Sequence, residues 1–221
     1  MIVQDGLRRM LKDQRDVFYY LTLLNENYAH PAMPEGAEKG ILRGMHRIRE
    51  AGARTKGPRV QLLGSGAILR EVMAAADLLL EDYGVHADVW SVTSFTALRR
   101  DGIEADRWNR LHPTEEPRAS YVEQQLGDGG GPVIAATDYM RAFADGIRAW
   151  VPGRYEVLGT DGFGRSDYRV QLRRFFEVDR HHVTASALAA LAREGAIDPA
   201  IAAAAITRYD IDPEAIPPWQ R

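Results

Sequence analysis

Four short apolar runs, each followed by a helical stretch, recur between Val60 and Leu158, and this alternation constrains the fold more than any other feature. The runs are Val60 to Leu63, Ala87 to Val92, Pro132 to Ala136 and Tyr155 to Leu158. Strands spaced by helices of this length predict an α/β domain, with a mostly parallel sheet covered by helices on both faces. Between the first two runs, Ile68, Val72, Ala75, Ala76 and Leu79 repeat at helical spacing and predict one long helix from about Ala67 to Tyr83. Short helices are expected in 93–126, broken at His112-Pro113 and Glu116-Pro117, and another helix over 139–150. The stretch 168–208 reads as alanine-rich helix, and a proline-rich tail follows over 212–221.

The chain before Val60 is less regular. Leu7, Met10 and Leu11 line one face of a predicted helix over 6–12, and Phe18 to Leu24 (FYYLTLL) reads as a strand buried on both faces. Two prolines and a glycine within Asn25 to Gly36 mark a connection, and Ala37 to Glu50 reads as helix. The expected organisation is therefore 1–24 as the trailing part of a preceding domain, 25–56 as linker and helix, and 57–221 as the compact α/β domain.

Composition closes off several function classes. With 45% hydrophobic and 27% charged residues, the 221-residue chain has the balance of a folded soluble protein. A net charge of -3 offers no electrostatic reason to expect nucleic acid or an anionic membrane. No apolar run approaches the roughly 18 residues needed to span a bilayer, and the N-terminus lacks the pattern of a signal peptide. The absence of cysteine removes disulfides, thiolate metal sites and cysteine nucleophiles, and fits a cytoplasmic location.

Three places carry candidate chemistry. The turn Leu63-Gly64-Ser65-Gly66 joins a strand to a helix, where backbone N–H groups can hold a phosphate. A dinucleotide fingerprint would need a third glycine where Leu69 stands, so a tight turn with close helix packing is the competing and favoured reading. The loop Leu158 to Asp167 (LGTDGFGRSD) follows a strand and concentrates glycines with Asp161, Arg165, Ser166 and Asp167. Two carboxylates on one loop make a poor cation site. Capping of the next helix is the favoured role of Asp167, and a ligand contact by Arg165 stays open. His30, near Glu35, would be a Glu–His acid–base pair if buried and a surface histidine otherwise. None of His46, His86, His112, His181 or His182 shows helical metal-ligand spacing.

Taken in order, TLLNENYAHPAMPEGAEKGI, VQLLGSGAILREV, WSVTSFTALRRDG, RWNRLHP, ATDYMRAFADGIRAWVP and VLGTDGFGRSDYRVQLRRFFEVDRHHV span nearly the whole chain. They resemble the C-terminal part of the homodimeric pyruvate dehydrogenase first component, within the transketolase-like 2-oxo acid dehydrogenases. The resemblance implies a five-stranded, mostly parallel C-terminal domain, preceded by a helix-strand remnant of the pyrimidine-type middle domain. It implies an oxidoreductase parent that uses thiamin diphosphate and Mg²⁺, decarboxylates pyruvate, and acetylates the lipoyl group of an acyltransferase core. The parent would be a homodimer whose cofactor-binding parts lie upstream of a Met1 that aligns with an internal position.

No cofactor is expected on the fragment, and the GDGG at Gly127 to Gly130 reads as a coincidental turn. The isolated chain is thus expected to be an inactive assembly domain, with no catalytic, cofactor or metal residue of its own. The alternative is a regulatory small-anion or partner-protein module, with Gly64, Ser65, Gly66, Asp161, Arg165, Ser166, His30 and Glu35 as its loop candidates. The fifth strand is expected within 93–118 or near 182–185.

Overall fold

The computed structural model describes residues 1–24, 26–52 and 56–221. Its centre is a five-stranded sheet built from β1 (Met45–Arg49), β2 (Arg59–Ser65), β3 (His86–Val92), β4 (Val133–Ala136) and β5 (Tyr155–Leu158), in the order β1-β3-β2-β4-β5. β2 is parallel to both β3 and β4, β4 is parallel to β5, and only β1 runs antiparallel, against β3.

Alternation along β2 explains the layering. Val60 and Leu62 face one side, where they meet α3 (Leu69–Tyr83), α8 (Arg180–Arg193) and α9 (Pro199–Arg208) through Val72, Leu79, Val183, Leu188 and Ala205. Leu63 faces the other side, toward α4 (Phe95–Leu111), α5 (Tyr121–Leu126) and α6 (Arg141–Asp145) through Leu98, Val122, Leu126 and Ala144. Because both faces are covered, β2 and β4 read as continuous apolar runs rather than alternating ones. Most of the expected helix over 168–208 resolves into α7 (Arg169–Phe175), α8 and α9. Asp179 and Asp198 cap the last two, accepting from the backbone N–H of His182 and Ala200. Two residues of the expected α3, Ala67 and Ile68, lie in a 3₁₀ turn ahead of the α-helix.

The missing fifth strand is β1, which lies neither in 93–118, occupied largely by α4, nor near 182–185, which is inside α8. It falls instead in the segment expected as helix. There α2 (Glu38–Arg43) stops at Gly44, whose φ of 115° and contact with the Ser94 carbonyl leave no room for a side chain. The Gly44 carbonyl accepts from Thr93 and Ser94, which locks the turn against the end of β3. Ile41, Met45 and Ile48 have helical spacing in sequence. In a strand, residues three apart face opposite sides, so the same two side chains, Met45 and Ile48, serve opposite cores. The sheet therefore begins at Met45, upstream of the expected start at 57.

The expected helix near the N-terminus is present as α1 (Ile2–Leu7), continued by a π turn over Arg8–Lys12. Phe18 to Leu24 is not a strand: it pairs with no strand among the described residues, and Phe18, Tyr20 and Leu23 are 88%, 83% and 90% exposed. Propensity alone cannot make a strand, because its N–H and C=O groups need a neighbouring edge. Among the described residues no helix is long and apolar enough to cross a membrane.

Candidate functional site at the strand ends

Sheet order places a crevice at the carboxyl ends of β2 and β4. From β2 the chain leaves through α3 toward β3 on one face; from β4 it leaves through α6 toward β5 on the other. Between two such strands the connections diverge, and open parallel sheets bind ligands at this switch point. The residues there are Gly64 and Ser65 at the end of β2, Gly66 just after it, and Thr137 and Asp138 after β4.

Gly64 is a packing glycine. A Cβ at that position would lie 2.7 Å from the Leu69 Cα and 2.9 Å from its Cδ1, so the strand and α3 approach more closely than any side chain permits. Substituting Gly64→Ala is expected to cost about 1–3 kcal/mol by forcing the helix off the sheet, which urea unfolding would measure; an unchanged midpoint would refute the packing role. Gly66 has a φ of 55°, and its absent Cβ would stand 3.5 Å from Asp138 Oδ1. The carboxylate of Asp138 thus lies over the turn that is the candidate phosphate cradle. Burial pushes the Asp138 carboxyl above the usual carboxylate range, and the charges of Arg173 and Arg169 only partly oppose this. No other residue among those described gives its side chain a hydrogen bond or an ion pair.

Across from Asp138 lies a set of arginines. Ala67, Ile68, Asp138, Thr160, Arg165, Arg169 and Arg173 border a cavity of about 250 Å³ with Leu172, Phe176 and Val178 as its apolar wall. Arg173 donates to Glu71 at 2.9 Å and to the Tyr28 hydroxyl at 3.1 Å, and Glu26 pairs with Arg169. Glu71 is buried at 5% exposure and also accepts from the Arg180 side chain at 2.9 Å and backbone at 3.2 Å. Burial alone would raise the Glu71 carboxyl; the hydrogen bonds and charge of Arg180, with Arg173, hold it below its ordinary value.

Of the expected site residues, Gly64, Ser65 and Gly66 lie at this crevice and Arg165 borders its cavity. Arg165 also donates to the Arg221 carbonyl at 2.6 Å and stands 5.1 Å over the Phe175 ring. Asp161 faces the other way. The Arg141 side chain and backbone N–H clamp it at 2.6 and 2.9 Å, and though burial acts to raise its carboxyl, these bonds hold it low. Among the described residues no group of three His, Asp or Glu comes together for a metal.

Ser166 is exposed on the loop, and the N-cap of α7 is Tyr168, with no side-chain cap, so Asp167 does not cap it; its carboxylate accepts from the neighbouring Tyr168 N–H. His30 and Glu35 are both exposed and form no pair. Glu35 borders a separate groove of about 710 Å³ near Arg59 and Asp88, toward the amino ends of the parallel strands. Gly127 to Gly130 is at that end too, where Gly129 abuts the Gln61 side chain, and offers no carboxylate cluster for a diphosphate-bound cation.

Sequence reasoning missed Asp138, Glu71, Arg169, Arg173 and Tyr28. Two had a signal. Thr137-Asp138 directly follows the apolar run VIAA at a strand's carboxyl end, and Glu71 sits on the buried stripe four residues before Ala75. The arginines and Tyr28 had none, since Arg169 and Arg173 stand 102 to 145 positions from Glu26, Glu71 and Tyr28 and meet them only through the fold.

Residues 1–31 match a family described as the pyruvate dehydrogenase E1 component middle domain. Pyruvate dehydrogenase E1 components are similar over nearly all of this chain: that of Pseudomonas aeruginosa is 58% identical over 97% of it, and that of Escherichia coli K12 is 53% identical over 99%. The chain spans 24% of each of these relatives. Among solved structures, a transketolase mutant from Pichia stipitis covers 71% of this chain and 19% of its own, with 18% identity and a TM-score of 0.49. Residues 44–179, more than half of the chain and running from the turn before β1 to the cap of α8, match the transketolase-like TK C-terminal domain, and the chain belongs to that family.

Proposed function

We propose that this chain serves as the C-terminal assembly domain of a thiamin diphosphate-dependent pyruvate dehydrogenase, acting in the dimer rather than in the chemistry. In this reading the parent protein decarboxylates pyruvate and acetylates the lipoyl group of an acyltransferase core in the cytoplasm. The observation that carries it is the exposed apolar segment Phe18 to Leu24, which lies within the stretch matched by the E1 middle-domain family. Aromatic and aliphatic side chains at such exposure are interaction surface. Residues up to about 24 would complete the sheet of that preceding domain, and so tie the α/β domain rigidly to it. The cofactor of a dimeric parent is positioned by how its subunits are held, so buried surface that fixes their orientation serves catalysis at a distance.

Thiamin diphosphate and Mg²⁺ would supply the electron sink for decarboxylation. The residues here do not fit them: Asp161 is taken by Arg141, Asp138 lies over the glycine turn, and no metal cluster forms among the described residues. The expected result is that the 221-residue chain, given pyruvate, thiamin diphosphate, Mg²⁺ and an electron acceptor, shows background turnover only. Turnover above background would overturn the assignment.

A further inference from the structure

The switch-point crevice has a feature that an assembly role does not use. It opposes one half-buried carboxylate, with no side-chain partner among the described residues, to three guanidinium groups across a cavity small enough for a single metabolite. The cavity, at about 250 Å³, lies just below the range for drug-sized ligands. Its position follows from the topology, because the Gly66 turn and Asp138 end the two strands whose connections diverge.

The chemistry of the walls decides what fits. A bare phosphate on the Gly64–Gly66 turn would meet the Asp138 carboxylate, which already stands over Gly66. A bare cation would meet Arg165, Arg169 and Arg173. A molecule carrying both charges satisfies both walls. Arg173 commits two of its five N–H donors to Glu71 and Tyr28, and Arg165 commits one to the Arg221 carbonyl. Donors therefore remain on both for a carboxylate, in the bidentate manner arginine favours. The Thr160 hydroxyl is spent on the Asp138 carbonyl at 2.6 Å, which holds the backbone behind the carboxylate in place. Ala67, Ile68, Leu172 and Phe176 line the rest and suit a short aliphatic or hydroxymethyl group.

We propose that this crevice binds a small α-amino acid, with its ammonium group on Asp138 and its carboxylate on Arg165 and Arg173. The site is independent of the catalytic role of the parent protein. A partly buried carboxyl kept without a partner costs stability when ionised; an ammonium partner offsets that cost, so ligand binding and the ionised form of Asp138 support each other.

Calorimetric titration of the full chain with each of the common α-amino acids tests this, with acetate, inorganic phosphate and methylammonium as single-charge probes. The expected result is one-to-one binding of at least one amino acid with a Kd of about 1 mM or tighter, with every single-charge probe at least tenfold weaker. Asp138→Asn should weaken the amino acid at least tenfold while leaving the protein folded, since burial disfavours the charge it removes. In the unsubstituted chain, NMR amide shifts on binding should centre on Gly66, Asp138 and Gly164. Silence across the amino acids, phosphate or acetate binding as tightly, unchanged binding in Asp138→Asn, or shifts centred on another groove would each overturn the proposal.

Discussion

Replacing Glu71 with alanine is expected to lower the free energy of unfolding by about 3 kcal/mol. Glu71 is buried and binds two arginines at once. Removing it leaves Arg173, only 14% exposed, without its carboxylate, and leaves the Arg180 backbone N–H without its acceptor. The Arg180 side chain is 46% exposed and can be rehydrated, which keeps the loss toward the lower end of the range for a broken buried pair. The same carboxylate also joins α3 to α7 and α8, through contacts 102 and 109 positions apart in sequence. Urea unfolding of Glu71→Ala at neutral pH gives the number, and a loss below about 1 kcal/mol would show the cluster to be no better than a surface pair.

The acid limb carries a second signature of this cluster. Because the folded Glu71 carboxyl lies below its model value of 4.5, its contribution is fully present above that pH and is lost as the pH falls through the lower folded value. Between neutral pH and about pH 3, the difference in stability between the unsubstituted chain and Glu71→Ala should therefore shrink. A constant difference would mean that the carboxylate contributes through packing alone.

Gly131→Ala is expected to cost about 3–4 kcal/mol, the sum of left-handed backbone strain and an overpacked contact that cannot relax. Gly131 has a φ of 71°, and an added Cβ would stand 1.9 Å from the Arg59 carbonyl oxygen and 2.8 Å from its carbon. Both atoms are backbone at the start of β2, where the Gln61 N–H donates to the Pro132 carbonyl at 3.0 Å and brings β4 alongside. A side chain at 131 must therefore push apart the two central strands. Gly130 is the internal control. Its φ of 68° is nearly the same, but nothing stands within 4 Å of its missing Cβ, so Gly130→Ala should cost only the strain, about 1 kcal/mol. Equal losses at the two positions, by thermal or urea unfolding, would sink the steric argument.

Four of the five strands and the long helix after β2 were legible because each is apolar on both faces or periodic on one, and neither pattern depends on distant partners. β1 was not legible. Met45 and Ile48, three apart, face opposite cores as strand alternation requires, and with Ile41 before them the same spacing mimics a helical stripe. Phe18 to Leu24 failed in the opposite sense, having strand composition with no neighbouring edge among the described residues. In the crevice, the glycine turn and Arg165 were legible as loop chemistry after strands. Pairing Asp138 with Gly66, and Glu71 with Arg173 and Arg180, was not, since spacings of 72, 102 and 109 positions carry no periodic signal.

By itself, then, the sequence determined the α/β class, the two-sided burial of the central strands and, through motifs spread over nearly all its length, the family. These follow from local periodicity and residue identity, which survive without knowledge of distant contacts. Only the tertiary structure decided which strand opens the sheet, that Asp138 lies over the glycine turn, and that one buried glutamate joins three helices. Those outcomes depend on strand order and on charges meeting across the fold, where burial turns an ordinary carboxylate into one that must find a partner or stay poised for one.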